Sequence, residues 1–179
     1  MVNTDQFLIR KAVDKDFEKI YSLYNLVSRT TAGLARTESE ITKDYVKQFF
    51  EKSSQNGIQF TIVDKLNDEE IIAEIHCYKL EPRVFGHILS ELMIAVSTKY
   101  QGTGFGKKLF QMLIEDIMEN RNDIFRVELI ARKSNTKAIK LYETLGFKIE
   151  GTLVNRIKNN ENLFEADIPM AWLNPNFIP

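Results

Sequence analysis

The chain has a single cysteine, Cys77, so neither an internal disulfide framework nor a multi-cysteine metal site is open to it, and no metal is expected. Proline and glycine are sparse, four and eight in 179 residues, and no Pro/Gly-rich linker, low-complexity tract or internal repeat divides the chain. One domain over residues 1–179 is the expectation, at a length that buries a real core. No long run carries charge of one sign: 24 Lys and Arg stand against 25 Asp and Glu, for a net charge of −1, so nucleic-acid binding through bulk electrostatics is not indicated. No stretch approaches the roughly 18 apolar residues of a membrane span. The opening residues, Met1 to Asp5, lack the basic region and apolar run of a signal peptide. A reduced, cytoplasmic setting fits these absences. With 44% hydrophobic and 27% charged residues the composition is that of an ordinary soluble globular protein, and it names no activity.

What is present is an alternation of strand and helix patterns. Phe7-Leu8-Ile9 reads as a first strand, and Asp14 as the cap of a helix carrying Phe17, Ile20, Tyr21, Tyr24 and Val27 at helical spacing. Thr37-Glu38-Ser39-Glu40 has the form of a capping box for a second helix with Ile41, Tyr45 and Phe49 at intervals of four. Ile58 to Asp64 and Glu70 to Leu80 read as strands, the second placing Ile71, Ala73, Ile75 and Cys77 on one face and Ile72, Glu74, His76 and Tyr78 on the other. The apolar run Leu92-Met93-Ile94-Ala95-Val96 predicts a central strand over Ile88 to Ser97, covered on both faces. Leu109, Phe110, Leu113, Ile114, Ile117 and Met118 form the apolar stripe of a third helix. Phe125 to Ala131 is a strand. Thr136 to Leu145 is a helix capped by Ser134 or Asn135 and stopped by Gly146, and Phe147 to Asn155 pairs with Leu163 to Trp172 around Asn159-Asn160-Glu161-Asn162. Together these give an α/β fold, a mixed sheet of about seven strands flanked by about four helices, antiparallel early and parallel where helices cross over.

One segment carries chemistry. Between the central strand and the third helix stands Gln101-Gly102-Thr103-Gly104-Phe105-Gly106, followed by Lys107 and Lys108. A chain that leaves a strand and turns at once into a helix presents unpaired backbone N–H groups. Glycines allow close approach, and the helix dipole adds positive potential, so the segment suits a phosphate or pyrophosphate. A tight turn without a ligand remains the alternative. The glycine spacing fits neither a P-loop nor a dinucleotide fingerprint.

The same residues resemble the Gln/Arg-x-x-Gly-x-Gly/Ala loop of the GNAT superfamily of acetyltransferases, which binds the pyrophosphate of coenzyme A. Downstream, Asn135, Ala138, Leu141-Tyr142-Glu143 and Leu145-Gly146-Phe147 resemble that family's Asn-x-x-Ala-x-x-Leu-Tyr-x-x-x-Gly-Phe segment. The opening Ile9-Arg10-Lys11-Ala12 and the close, Glu150-Gly151-Thr152 through Asp167-Ile168-Pro169-Met170, look similar as well, so the resemblance covers nearly the whole chain and is weakest over Arg29 to Gly57. It implies a GNAT-like twisted mixed sheet and N-acetyl transfer from acetyl-CoA, as cosubstrate, to a primary amine by direct attack through a tetrahedral oxyanion. The implied cofactor contacts are Gln101, Gly102, Thr103, Gly104, Phe105, Gly106 and Lys107 for the pyrophosphate. Ile94 and Val96 would offer main-chain groups to the pantetheine arm and the oxyanion, with Asn135 beside them. Tyr142 corresponds to the family's general acid: a phenol of ordinary pKa near 10 holds its proton at neutral pH and passes it to a departing thiolate.

The base is less marked. Glu91 on the central strand is the first choice, Ser90 takes its place if the register slips by one, and Glu74 and His76 share a face of the preceding strand. Water-mediated deprotonation is a further route. Arg36 could pair with a substrate carboxylate or lie on the surface, and Glu161, Glu165 and Asp167 read as solvated carboxylates of the closing hairpin, so the acceptor could be a small-molecule amine or the amine of a peptide or protein. That hairpin could also support a homodimer. The rival reading is a non-catalytic acyl-CoA-binding sensor or partner module.

Overall fold

The computed structural model describes residues 6–30, 34–158 and 162–179. Thr31-Ala32-Gly33, and Asn159, Asn160 and Glu161 of the closing turn, lie outside the described residues. Eight strands build a mixed sheet: β1 (Phe7–Lys11), β2 (Gly57–Asp64), β3 (Glu70–Lys79), β4 (Ile88–Val96), β5 (Arg126–Arg132), β6 (Lys148–Ile149), β7 (Leu153–Lys158) and β8 (Phe164–Leu173). Their order is β1-β2-β3-β4-β5-β8-β6, with β7 also paired to β8. The helices are α1 (Phe17–Thr30), α2 (Lys43–Asn56), α3 (Phe105–Asn120) and α4 (Thr136–Thr144).

The chain divides into two compact units. One holds the described residues up to Tyr78 together with Met93–Ile114, the other Lys79–Leu92 and Glu115–Pro179. In the first, β1 and β3 both run antiparallel to β2, with a bulge at Ile62/Val63. The helical stripe of α1 buries Ile20, Leu23, Tyr24 and Val27, that of α2 buries Val46, Phe49 and Phe50, and both pack on Val63, Ile71 and Ala95. In the second, β8 is the hub. It pairs antiparallel with β5 from Arg126↔Leu173 to Arg132↔Asp167 and carries β6 and β7 along its length. Asn174, just past β8, is buried and donates to the carbonyls of Ile124 (2.9 Å) and Arg121 (3.3 Å), which ties the chain after β8 to the segment preceding β5.

Four details differ from the sequence expectation. Asp14 caps nothing: it begins a short 3-10 turn, Asp14–Asp16, and the acidic residue with structural work is Asp16. Asp16 is buried, accepts from Arg10 at 2.5 and 2.8 Å, and accepts from the Val13 amide at 2.9 Å. Burial alone would raise its pKa, yet the Arg10 and Val13 hydrogen bonds hold it below the usual carboxylate value. The capping box at Thr37 and Glu40 forms, but it closes a separate turn, and α2 is capped by Thr42, whose hydroxyl accepts from the Tyr45 amide at 3.1 Å. The expected strand over 147–155 is two strands, which raises the count from seven to eight. β6 opposes Ala171 and Met170, β7 opposes the start of β8, residues 150–152 separate the two, and β7 carries its own irregularity between Leu153 and Ile157, where Asn155 has a positive φ. Finally, β4 is not covered on both faces; only Leu89 and Ala95 are buried, while Met93, Ile94 and Val96 are half-buried.

Candidate active site

In the first unit the site is built by the chain leaving β4. The Ser97 amide donates to the Ile72 carbonyl (2.8 Å), then Thr98–Tyr100 makes a single 3-10 turn. Tyr100 fixes that turn: its hydroxyl donates to Asp64 at 3.0 Å, and its ring packs edge-on against Phe7, centroids 5.7 Å apart. Gln101 folds back to donate to the Val96 carbonyl at 3.1 Å, and the Thr103 hydroxyl donates to the Tyr100 carbonyl at 2.6 Å. Gly102 and Gly104 take φ of +77° and +90°, which only glycine adopts without strain. A Cβ at either would meet nothing within 4 Å, so backbone conformation, not crowding within the protein, is what requires glycine there. Gly104→Ala should therefore destabilise the fold by about 1–2 kcal/mol through left-handed backbone strain, read as a lowered midpoint in denaturant.

Phe105 opens α3 with its side chain buried against Phe7, centroids 4.9 Å apart, so of the predicted contact residues it contributes backbone alone. The first bond of the helical ladder is Lys108 N to Gly104 O at 3.1 Å, which leaves the amides of residues 104–107 ahead of it. Lys107 and Lys108 are exposed beside them. Gly106 faces β4: a Cβ there would lie 3.6 Å from Ile94 Cδ1 and 3.9 Å from Val96 Cγ2, which brings the two β4 candidates together at the helix start. Loop amides, a helix dipole and two lysines form a donor set that matches a diphosphate.

The strand candidates for a base fare differently. Glu74 and His76 are buried in a closed network. Glu74 accepts from the Tyr24 hydroxyl (2.7 Å) and from Gln59 (2.8 Å) and lies 3.0 Å from His76 Nδ1, and the His76 ring stacks on Phe49 with centroids 4.0 Å apart. That geometry makes them structural residues on the interior face of β3. Burial and the Glu74 charge push the Tyr24 phenol well above its ordinary pKa.

In the second unit, β4 and β5 pair in parallel through Ile88↔Arg126 and Leu89↔Val127. Two residues past that ladder, Glu91 has φ +52° and an exposed side chain, and Ser90 is half-buried. A positive φ at glutamate is uncommon, and no sequence signal announces it. Asn135 caps α4, its side chain accepting from the Ala138 amide at 3.2 Å. Tyr142 lies half-buried on α4 with its ring 6.1 Å from that of Phe147, and burial pushes its phenol up to about 12. Its carbonyl accepts from the Leu145 and Phe147 amides, both at 3.0 Å, as the helix ends at Gly146 (φ +92°). A Cβ on Gly146 would sit 3.3 Å from Trp172 Cδ1. The Leu145-Gly146-Phe147 part of the motif thus stops a helix and seats a buried ring.

Asp167, read from the sequence as solvated, is buried on β8 between Arg132, its cross-strand partner, and Arg156 at 3.6 Å, with burial raising its pKa. Glu165 is half-buried and accepts from the Ser134 amide at 2.7 Å. Alternation along β8 could have put Asp167 on one face, but not told which face is covered.

The fold is thus a mixed α/β sheet whose strand β4 delivers the chain into a glycine-rich helix start. The family model described as acetyltransferase (GNAT) family matches residues 8–147, and the chain belongs to that family. Among curated relatives it is 41% identical over 64 residues to the N-terminal acetyltransferase B complex catalytic subunit NAA20 of Arabidopsis thaliana, covering 36% of this chain and 34% of that protein. It is 33% identical over 69 residues to the spermidine N(1)-acetyltransferase of Escherichia coli (strain K12), covering 38% and 37%. The matches therefore span little more than a third of each relative's length. A solved structure of yncA, a putative acetyltransferase from Salmonella typhimurium with its cofactor acetyl-CoA, superposes with a TM-score of 0.79 over 94% of both chains at 16% identity, which shows a common fold.

Proposed function

We propose that the protein is an N-acetyltransferase that moves an acetyl group from acetyl-CoA to a primary amine, the two units acting together as one acetyltransferase domain. The observation that carries this reading is the helix start itself: amides 104–107 stand ahead of the α3 ladder beside Gly102 and Gly104 at positive φ. Bound acetyl-CoA supplies an activated thioester. In this reading the backbone of Gln101 through Lys107 holds its pyrophosphate, main-chain groups at Ile94 and Val96 orient its pantetheine arm, and Asn135 assists while capping α4. Tyr142, a phenol protonated at neutral pH whose pKa burial raises further, serves as the acid that protonates the departing sulfur. Glu91, exposed on β4, serves as the base that takes the proton from the incoming ammonium. A cytoplasmic setting accords with a lone, buried cysteine, Cys77.

Melting with and without acetyl-CoA tests the reading. At 100 times its Kd the ligand adds about 2.7 kcal/mol, and a chain of this size should melt roughly 5–10 °C higher. No shift at millimolar acetyl-CoA, or an equal shift with ATP, would sink the proposal. Thiol release on adding amines then reports transfer.

A further inference from the structure

Arg36 lies on the connection between α1 and α2, and its surroundings single it out. Leu34, two residues earlier, is buried in the α1–α2 core, which anchors the segment. The Arg36 guanidinium carbon lies 4.1 Å from the centroid of the Tyr45 ring on α2. Tyr45 is fixed in turn, its ring edge-on to Phe49 at 5.4 Å and its hydroxyl donating to the Met93 sulfur of β4 at 3.3 Å. The neighbouring cations are neutralised: Arg29 pairs with Glu38 at 2.7 Å and Lys43 with Glu18 at 2.6 Å. Glu40 feels the Arg36 charge but accepts instead from the Thr37 amide and hydroxyl, both at 2.7 Å. Among the described residues Arg36 forms no ion pair.

A guanidinium held against an aromatic ring has lost much of its rotamer freedom, and its in-plane N–H groups match a carboxylate two at a time. The ring beneath it leans on Met93, the residue before Ile94, the strand position proposed above to hold the pantetheine arm. We propose that Arg36 recognises a carboxylate on the acceptor, so that the substrates of this protein are amines that also carry a carboxylate group. This rests on the acetyltransferase reading and narrows it. A purely cationic polyamine is disfavoured as the acceptor, because it would bring positive charge to a guanidinium that forms no ion pair among the described residues.

The test is steady-state thiol release from acetyl-CoA with a panel of α- and ω-amino acids, each paired with its carboxamide. At least one acid should exceed its amide in kcat/KM by roughly 10- to 100-fold, the worth of a charge-assisted hydrogen bond. Arg36→Met should erase that preference by raising KM for the acid, leaving kcat, KM for acetyl-CoA and the amide rate unchanged, and Arg36→Lys should restore part of it. A purely structural role for Arg36 would lower all these parameters together. Amides or polyamines used as readily as acids, or acid and amide rates falling alike in Arg36→Met, overturn the assignment while transfer itself stands. Failure of acetyl-CoA to bind or to acetylate any amine overturns the enzyme reading, and this one with it.

Discussion

Glu74→Ala is expected to cost about 3–5 kcal/mol, as removing one member of a buried hydrogen-bonded charge cluster does, which lowers the melting temperature by on the order of 10 °C in a chain of this length. The carboxylate is the common acceptor for Tyr24, Gln59 and His76, which come from α1, β2 and β3, and all four side chains are buried. Deleting it strands three polar groups in the interior, and each unsatisfied one costs about 1–3 kcal/mol. Glu74→Gln should lose less because it keeps shape and one acceptor oxygen, and its remaining cost comes from turning the other acceptor into a donor facing donors. Calorimetric melting of the two variants checks the order. A Glu74→Ala protein that melts like the parent would mean that the network is hydrated or idle.

Tyr142→Phe has the largest expected effect on turnover. If Tyr142 protonates the departing thiolate, its loss should lower kcat roughly 10²- to 10⁴-fold, with affinity for acetyl-CoA retained and the ring still packed beside Phe147. A sensor without activity would have no turnover to lose. The pH dependence follows from burial, which pushes the phenol up to about 12. A phenol of ordinary pKa near 10 would begin to ionise in the high-pH range of an assay, whereas this one stays protonated, so the rate should show no alkaline decline attributable to it below about pH 11. Stability follows the same linkage. The folded pKa lies above the unfolded value, so the contribution is complete below about pH 10 and is lost as the pH rises from there through about 12. In Tyr142→Phe that alkaline loss should diminish. A Tyr142→Phe protein that turns over at the parent's rate would remove the residue from the mechanism.

Periodicity made most of the elements legible. The stripe Leu109-Phe110-Leu113-Ile117 is buried along α3, and Asn135 and Gly146 mark the two ends of α4. The glycine loop was legible too, because Gly102 and Gly104 are where the backbone turns left-handed. What stayed hidden are cases in which tertiary context decides. Alternation assigned Glu74 and His76 to one face of β3 without revealing that α1 and α2 cover it, so two candidate bases turned out to be core. Asp14 and Asp16 look alike as caps until Arg10, on β1, selects the second. Nothing local in Phe147 to Asn155 foretells that β8 accepts it as two separate strands, and nothing about glutamate foretells φ +52° at position 91.

The hub position of β8 has a consequence for how the chain is made. The pairings of β6 and β7 are to β8, and β5 lies along its opposite edge, yet β8 emerges from the ribosome after all three. Until Leu173 is synthesised, those strands display open edges, whereas β1, β2 and β3 hold their antiparallel partners from the time residue 79 appears. A nascent chain stalled before residue 164 therefore presents one paired sheet fragment and a second in which β5 has its short ladder to β4 while β6 and β7 still await β8, and the second is the natural target for chaperones and the natural seed for aggregation.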